Sequence, residues 1–438
     1  MIKKVLIANR GEIAVRIIRA LKAMSIKSVS VYSLADKDGL WTQLADEKIC
    51  IGSAKANESY LNINNLISAA LYTHCDAIHP GVGFLSESSL FAEAVENSGL
   101  IFIGPNKDTI NLLGNKVEAR ILAKKAGLDV TPGSFKEIDS VEELKAIAED
   151  IGYPIILKAS LGGGGKGMRV IYNENDLEKN FTIAKEEANK FFANPAIHVE
   201  KFLTAPRHIE IQLLSDGKNV VFLGERDCSV QKNHQKLIEE SPSNVVTEEL
   251  REQLKEASIK LFKMIEYKGA GTIEFLLEKN KCYFMEVNAR VQVEHPVSEF
   301  VSSIDIIKEM ILISSGKTSN NMLSSPSLNN HSMEVRINAL SCGKINKFNP
   351  PLGPSVRVDT HIYSGFTVSP FYDSLLAKII VYTQNRQESI KTMLACLSEL
   401  EIEGIKTNKD VIVKILKNKK FVSGKFDTSL YQEIEKEL

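Results

Sequence analysis

Several things are scarce in this chain. No apolar run approaches the ~18 residues that cross a membrane. The opening Met1-Ile2-Lys3-Lys4-Val5-Leu6-Ile7-Ala8 is interrupted by Asn9-Arg10, too early for a signal peptide. Neither sign of charge is in excess: the formal net charge is −1, which gives no footing for nucleic acid or an anionic membrane surface. The 6 cysteines, at 50, 75, 228, 282, 342 and 396, form no C-x-x-C pair and read as buried, reduced thiols of a cytoplasmic protein. The 8 histidines lack metal-ligand spacing, which argues against zinc. Internal repeats are missing too. What remains is ordinary globular composition in 438 residues, enough for roughly three domains of ~150 each.

The most informative segment is Glu286-Val287-Asn288-Ala289-Arg290-Val291-Gln292-Val293-Glu294, where polar and apolar residues alternate strictly. A strand has a side-chain period of two, so an extended chain here would carry acid, amide, cation, amide and acid along one face. Upstream, Thr272–Leu277 and Cys282–Glu286 are β-rich around a turn-like Lys279-Asn280-Lys281. A hairpin with Glu278 facing Cys282 would place Glu274 opposite Glu286. Opposed residues have Cβ atoms about 4.5–5.5 Å apart, and like charges there are destabilising. A divalent cation between them would relieve that cost, with Asn288 as a further oxygen ligand. Such a small all-oxygen set suits Mg²⁺ or Mn²⁺ bound with substrate phosphates. The bland alternative is a surface hairpin with two solvated acids.

Coarse patterning gives an α/β chain. Val5–Ala8 reads as a buried strand, Ile13–Leu21 as a helix and Val29–Tyr32 as the next strand, a βαβ start to a parallel sheet. Ala77-Ile78 and Ile101–Ile103 read as later strands. The expected domains are 1–114, 115–324 with a smaller unit at about 131–203, and 325–438. The Ser/Asn-rich stretch from Ser314 to Asn330 reads as a linker. Further β patterning and a closing helix pair follow it.

Other segments carry possible chemistry. Gly162-Gly163-Gly164-Gly165-Lys166-Gly167 follows a strand ending near Lys158; glycines let backbone N–H groups approach phosphate oxygens. It is not a Walker loop, because Gly167 stands where Ser or Thr is required. It reads as a flap over a polyphosphate or as a plain flexible hairpin, with Lys158 as a possible phosphate charge. His79-Pro80-Gly81-Val82-Gly83 implies close backbone approach, either to a ligand or to another segment. Glu225–Lys236 is dense in polar groups after an apolar strand. There Gln231, His234 and Lys236 read as recognition groups or as a solvated loop. Arg336 lies in an alternating strand whose pattern leaves its role open.

Taken together, these segments resemble the biotin carboxylases of the ATP-grasp superfamily. The resemblance rests on Ile7–Ala14, His79–Glu87, Lys158-Ala159-Ser160 with the glycine loop, Glu225–Lys236 and Glu286–Pro296. It implies a Rossmann-like N-terminal domain, an ATP-grasp domain with a mobile lid, and a C-terminal domain packed on both. It further implies that Lys116, Lys158 and His208 contact ATP phosphates or ribose, with Gly164 and Gly165 in the phosphate flap. Glu200, Lys201, Phe202 and Leu203 would form the adenine strand, with Gln231 and His234 nearby. Glu274, Glu286 and Asn288 would hold two Mg²⁺ or Mn²⁺ ions. Lys236, Arg290, Gln292 and Val293 would surround bicarbonate, Glu294 would deprotonate it, and Arg336 would steady the biotin enolate.

The implied activity is ATP-dependent carboxylation of biotin through carboxyphosphate, the first half-reaction of acetyl-CoA carboxylase in fatty acid synthesis. The chain lacks a Met-Lys-Met biotinylation signal, so biotin is expected on a separate carrier protein, with carboxyltransferase subunits as further partners and a homodimer as the assembly. The sequence departs from the family pattern at Val82 (usually Tyr), at a shortened Leu340–Lys344 loop, and at Pro354 near the dimer contact. Three alternatives stand beside this reading: the same subunit serving another acyl-CoA or pyruvate carboxylase, a different ATP-grasp ligase, and a non-catalytic nucleotide-binding regulator.

Overall fold

Strands β1 (Lys4–Ile7), β2 (Lys27–Tyr32), β3 (Glu47–Cys50), β4 (Ala77–His79) and β5 (Ile101–Phe102) make a parallel sheet in the order β3-β2-β1-β4-β5. They belong to a computed structural model that describes residues 2–161 and 167–436. Val5, Leu6 and Ile7 are wholly buried, as a parallel strand covered on both faces requires. The helix Gly11–Ala23 supplies the crossover to β2. Gly81, after β4, has φ +67, and a Cβ there would lie 2.8 Å from Asn9 Nδ2. Asn9 donates to the carbonyls of Pro80 and Val82, both at 2.7 Å, so the close approach is to another chain segment.

A smaller antiparallel sheet of β6 (Ile155–Ala159), β7 (Met168–Ile171) and β8 (Ile197–Lys201) follows, with β6 in the middle. Helices Val141–Ile151 and Leu177–Phe192 bury their apolar faces on it. Gly164 and Gly165 lie outside the described residues.

The next strands are β9 (Arg207–Asp216), β10 (Val220–Lys232), β11 (Gln235–Ser241), β12 (Lys268–Glu278), β13 (Lys281–Asn288) and β14 (His331–Asn338). After them come β15 (Gly343–Lys344), β16 (Lys347–Asn349), β17 (Val356–Thr360), β18 (Thr367–Val368), β19 (Leu375–Thr383) and β20 (Glu401–Glu403). Eight form one sheet in the order β13-β12-β9-β10-β11-β14-β19-β17. It runs unbroken across the 314–330 linker, because β11 pairs with β14. The linker itself carries one 3₁₀ turn, whose Met322 is buried in the core. Three helices close the chain rather than two: Lys409–Lys417, Lys419–Val422 and Leu430–Glu435. The Leu340–Lys344 loop is secured by Leu340 N–H to the Lys406 carbonyl at 2.8 Å and Lys406 N–H to Ser341 Oγ at 3.0 Å.

Three further readings need correction. Strand β13 stops at Asn288, and Arg290–Glu294 is a turn into the helix His295–Ser302. Buried Val291 inserts into the core shared with the first sheet, which pulls the chain out of the ladder. Of the two readings of Glu225–Lys236, the solvated loop fails over 225–232, which is the far half of β10 with Glu225 through Val230 all buried. The hairpin tip is also tighter than expected: Glu278 pairs with Lys281, not Cys282. A bulge between Glu274 and Phe275 then shifts the register, and Glu274 does face Glu286.

Candidate active site

The hairpin β12–β13 and its neighbour β9 set the floor of the site. Glu274 is buried and opposite Glu286, which is partly exposed and sits 3.3 Å from Lys116 Nζ. Glu274 Oε1 accepts from Lys236 Nζ at 2.9 Å and Gln292 Nε2 at 3.0 Å, and its Oε2 lies 3.1 Å from His208 Nε2. Asn288 Oδ1 accepts from Arg290 Nη2 at 3.1 Å. Glu274 and Glu286 face each other across the ladder and Asn288 lies two residues further along β13, each an oxygen donor facing a nitrogen donor that a divalent cation would displace. The donor chemistry fits Mg²⁺ or Mn²⁺. His208, Glu210 and Glu274 bring ligand atoms within 4.8 Å of one another, but both Glu210 oxygens are committed to Arg226, Cys228 and Lys236, so that cluster is an ion-pair knot.

Beside the floor stands Glu294. It holds the N-cap position of the helix His295–Ser302, yet its side chain does no capping. Its Oε1 accepts from Lys236 Nζ at 2.7 Å and its Oε2 from Arg336 Nη2 at 2.9 Å. Burial and Glu210 push its carboxyl up, but Lys236, Arg336 and Arg226 outweigh them and hold it below the usual carboxylate range. The same contest leaves Glu274 and Glu210 low, against burial. Burial works against the charge of Lys236, but Glu210, Glu274 and Glu294 raise its ammonium well above the ordinary lysine value. Arg336 also gives Nε to Glu239 at 2.6 Å. Burial lifts the Glu239 carboxyl to about 7 despite that arginine; it faces Glu334 across the β11–β14 ladder.

Arg290 is anchored from the first domain: its Nε donates to Glu87 Oε2 at 2.8 Å, and Ala289 N–H donates to Glu87 Oε1 at 3.1 Å. Its Nη1 reaches Gln292 Oε1 at 2.9 Å. Lys236, Arg290, Gln292 and Glu294 thus form one connected group, and the Val293 carbonyl accepts from Lys378 Nζ at 2.7 Å.

The remaining predicted residues flank this group through β6, β8 and β9. Lys158 Nζ lies 2.9 Å from Glu200, which also accepts from Thr131 and pairs with Arg120 at 3.1 Å. Burial resists its charge, yet Lys158, His198 and Arg120 hold Glu200 well below the normal range. Lys201 Nζ is occupied by the carbonyls of Gly152 and Tyr153, and Phe202 N–H donates to Pro154. Leu203 is buried. Gln231 meets His208 Nδ1 at 2.7 Å, whereas His234 sits exposed at the tip of the β10–β11 hairpin with φ +64.

Four residues of the site escaped the sequence reading: Glu87, Glu210, Arg226 and Lys378. Glu210 had a usable signal, since His208-Ile209-Glu210-Ile211-Gln212 alternates as Glu286–Glu294 does. Glu87 and Arg226 lie in segments already singled out, His79–Glu87 and Glu225–Lys236, and only their individual roles went unread; Lys378 had no signal, because only the fold reveals that it is fully buried.

Known proteins match this arrangement along its length. Residues 1–110 match the family model for the biotin carboxylase N-terminal domain, 115–322 that for the carbamoyl-phosphate synthase L chain ATP binding domain, and 334–433 that for the biotin carboxylase C-terminal domain. The chain is 47% identical to the biotin carboxylase of Pseudomonas aeruginosa, over 97% of this chain and 96% of that protein. It is also 47% identical to biotin carboxylase 1 of Bacillus subtilis, over 99% and 98%. Its fold superposes on a Campylobacter jejuni biotin carboxylase solved with β,γ-ATP, with TM-score 0.96 and 46% identity, covering 99% of both chains. The biotin carboxylase domain dimer of Hydrogenobacter thermophilus 2-oxoglutarate carboxylase, solved with MgADP, ADP and bicarbonate, gives 0.95 and 41%, over 99% and 98%. Identity of this order over the whole length, with three family domains in sequence, means that the chain belongs to the biotin carboxylase family.

Proposed function

We propose that this chain carboxylates biotin at N1′, using ATP and bicarbonate, as the first half-reaction of acetyl-CoA carboxylase. The observation that carries the reading is the ionised Glu294 carboxylate clamped between Lys236 and Arg336. Bicarbonate is a weak nucleophile and must lose a proton as it attacks the γ-phosphate. Lys236, Arg290, Gln292 and the Val293 backbone would hold it, and Glu294 would take the proton. An anion settling against Lys236 draws that cation off Glu294, which raises the proton affinity of the base when it is needed.

Carboxyphosphate and ADP are the products of that step. Carboxyphosphate then breaks to CO₂ and phosphate, phosphate takes the ureido proton of biotin, and the enolate captures CO₂. Arg336 is placed to offset the enolate charge. Lys116, Lys158 and His208 are assigned to phosphates or ribose, and Gly164 and Gly165 to the flap. Glu200–Leu203 with Gln231 and His234 are assigned to adenine. Glu274, Glu286 and Asn288 are the proposed metal ligands; a bound Mg²⁺ or Mn²⁺ would neutralise phosphate charge there.

The domain limits proposed are 1–114, 115–324 and 325–438, with the lid at about 131–203. The chain is proposed to act as a homodimer, with biotin delivered on a carrier protein and passed on to carboxyltransferase subunits. A cytoplasmic setting suits six free thiols, four of them buried. No helix of the described residues is long and apolar enough to cross a membrane.

The test is bicarbonate-dependent ATP hydrolysis with and without free biotin, for the parent and Glu294→Gln. Biotin-stimulated turnover in the parent and a loss of about 10²–10⁴ in the variant are expected. Turnover indifferent to bicarbonate would overturn the reading.

A further inference from the structure

Lys378 is a cation that the proposed chemistry does not use. It lies on β19, directly opposite Arg336 on β14 and Asp359 on β17, so the three share one rung of the large sheet. Its side chain is wholly buried. Two like charges side by side on a rung are destabilising. Here the carboxylates divide them: Glu239 and Glu294 take Arg336, while Glu12 at 3.2 Å and Asp359 at 3.9 Å face Lys378. Yet the shortest contact of Lys378 is to neither acid. Nζ donates to the Val293 carbonyl at 2.7 Å, across 85 residues of sequence.

That carbonyl sits at the heart of the Gln292–Glu294 turn. Two other carbonyls of the turn are tied: that of Gln292 accepts from His295 N–H at 3.3 Å and lies 2.8 Å from His295 Nδ1, and that of Glu294 accepts from Val297 N–H at 3.2 Å. Both are local to the start of the helix, whereas Lys378 ties the middle of the turn to the sheet. Taking a lysine out of water costs several kcal/mol unless it is paired and hydrogen-bonded. Glu12 and Asp359 would repay much of that without the carbonyl. An ammonium drawn closer to a neutral carbonyl than to either acid is placed for the carbonyl.

We propose that Lys378 is the positioning residue of the bicarbonate turn. It fixes the Val293–Glu294 peptide, and with it the adjoining Val293 N–H and the Glu294 carboxylate, against the sheet that carries Arg336. Glu12, from the helix Gly11–Ala23 of the first domain, steadies the ammonium in turn. This rests on the bicarbonate role proposed above for Gln292–Glu294.

Removing only the cation would strand Glu12 and could cost folding. The test therefore pairs Lys378→Met with the double variant Lys378→Met/Glu12→Gln, which also removes the stranded acid. In the double variant, thermal stability should recover towards the parent. The bicarbonate KM should stay raised by about tenfold or more, since small misplacements of reacting groups are costly, and the ATP KM should stay within about twofold. A bicarbonate KM that recovers together with stability would show a merely structural lysine and overturn the proposal. A parent without bicarbonate-dependent turnover would instead remove the reading beneath it, and the proposal with it.

Discussion

Glu294 sits where a helix cap belongs and spends its carboxylate on two cations instead. The residue that makes this possible is Lys236, whose single ammonium serves Glu210, Glu274 and Glu294 at 2.7, 2.9 and 2.7 Å. All three carboxyls are held below their ordinary values. A carboxyl depressed in the folded state contributes stability above its unfolded value near 4.5, and that contribution is lost as pH falls through the lower folded value. Lys236→Met reverses this. Burial then dominates at Glu274 and Glu294, their values rise, and the folded state takes up protons more readily than the unfolded chain. The variant should be destabilised by about 3–5 kcal/mol near neutral pH, the cost of stranding buried charge. The deficit should shrink on acidification towards pH 5, because protonation removes that charge. Thermal melts across this range decide the matter: a deficit independent of pH would mean that lost packing, not stranded charge, is responsible.

At the scale of elements, the β12–β13 hairpin shows what pattern does and does not reveal. The facing of Glu274 and Glu286 was legible, because two β-rich runs around Lys279-Asn280 can pair in few ways. The route was not: the two-residue turn shifts the ladder by one, and the bulge beside Phe275 shifts it back. A bulge has no signature in alternation. Nor does the end of β13, since the turn after Asn288 keeps the polar–apolar rhythm while Val291 goes into a different core. Glu225–Lys236 stayed open between recognition groups and a solvated loop for the opposite reason: a charged strand looks solvated until its partners on β9 and β11 are known. The tip offers a test. Lys279 and Asn280 both have positive φ, 51° and 62°, the geometry that favours Asn-Gly. Replacing the pair by Asn-Gly should stabilise the protein by about 0.5–1 kcal/mol, the left-handed strain relieved at the tip less the entropy that a glycine adds to the unfolded chain, and leave bicarbonate-dependent turnover within about twofold. A loss of metal-dependent activity on this change would show that the tip, and not only the bulge, sets the facing of the two acids.

Across the whole molecule, the question is what makes the N-terminal sheet and the long sheet one body. Two kinds of contact cross between them. One is ionic: Arg16, on the helix Gly11–Ala23, is nearly buried and gives Nη2 to Glu299 at 2.8 Å and Asp305 at 2.5 Å. The other is apolar: Ile17 and Ile18 share a core with Leu214, Val221, Val291, Ile307 and Met310 from beyond the first domain. The ionic contact is weak ground for cohesion. Its Coulomb gain is offset by desolvation, and Glu299 keeps Arg357 at 2.7 Å when Arg16 is removed. Each fully buried aliphatic side chain contributes about 1.5–3 kcal/mol, and several cross the boundary. Arg16→Met should therefore lower the thermal midpoint, at a cost of about 3 kcal/mol for the broken buried pair, while calorimetry still shows the two sheets melting in one transition. Two resolved transitions would mean that the ion pairs, and not the shared core, join the domains. The turn that holds Glu294 would then owe its place to charge, because Val291 is anchored in that same core two residues before Val293.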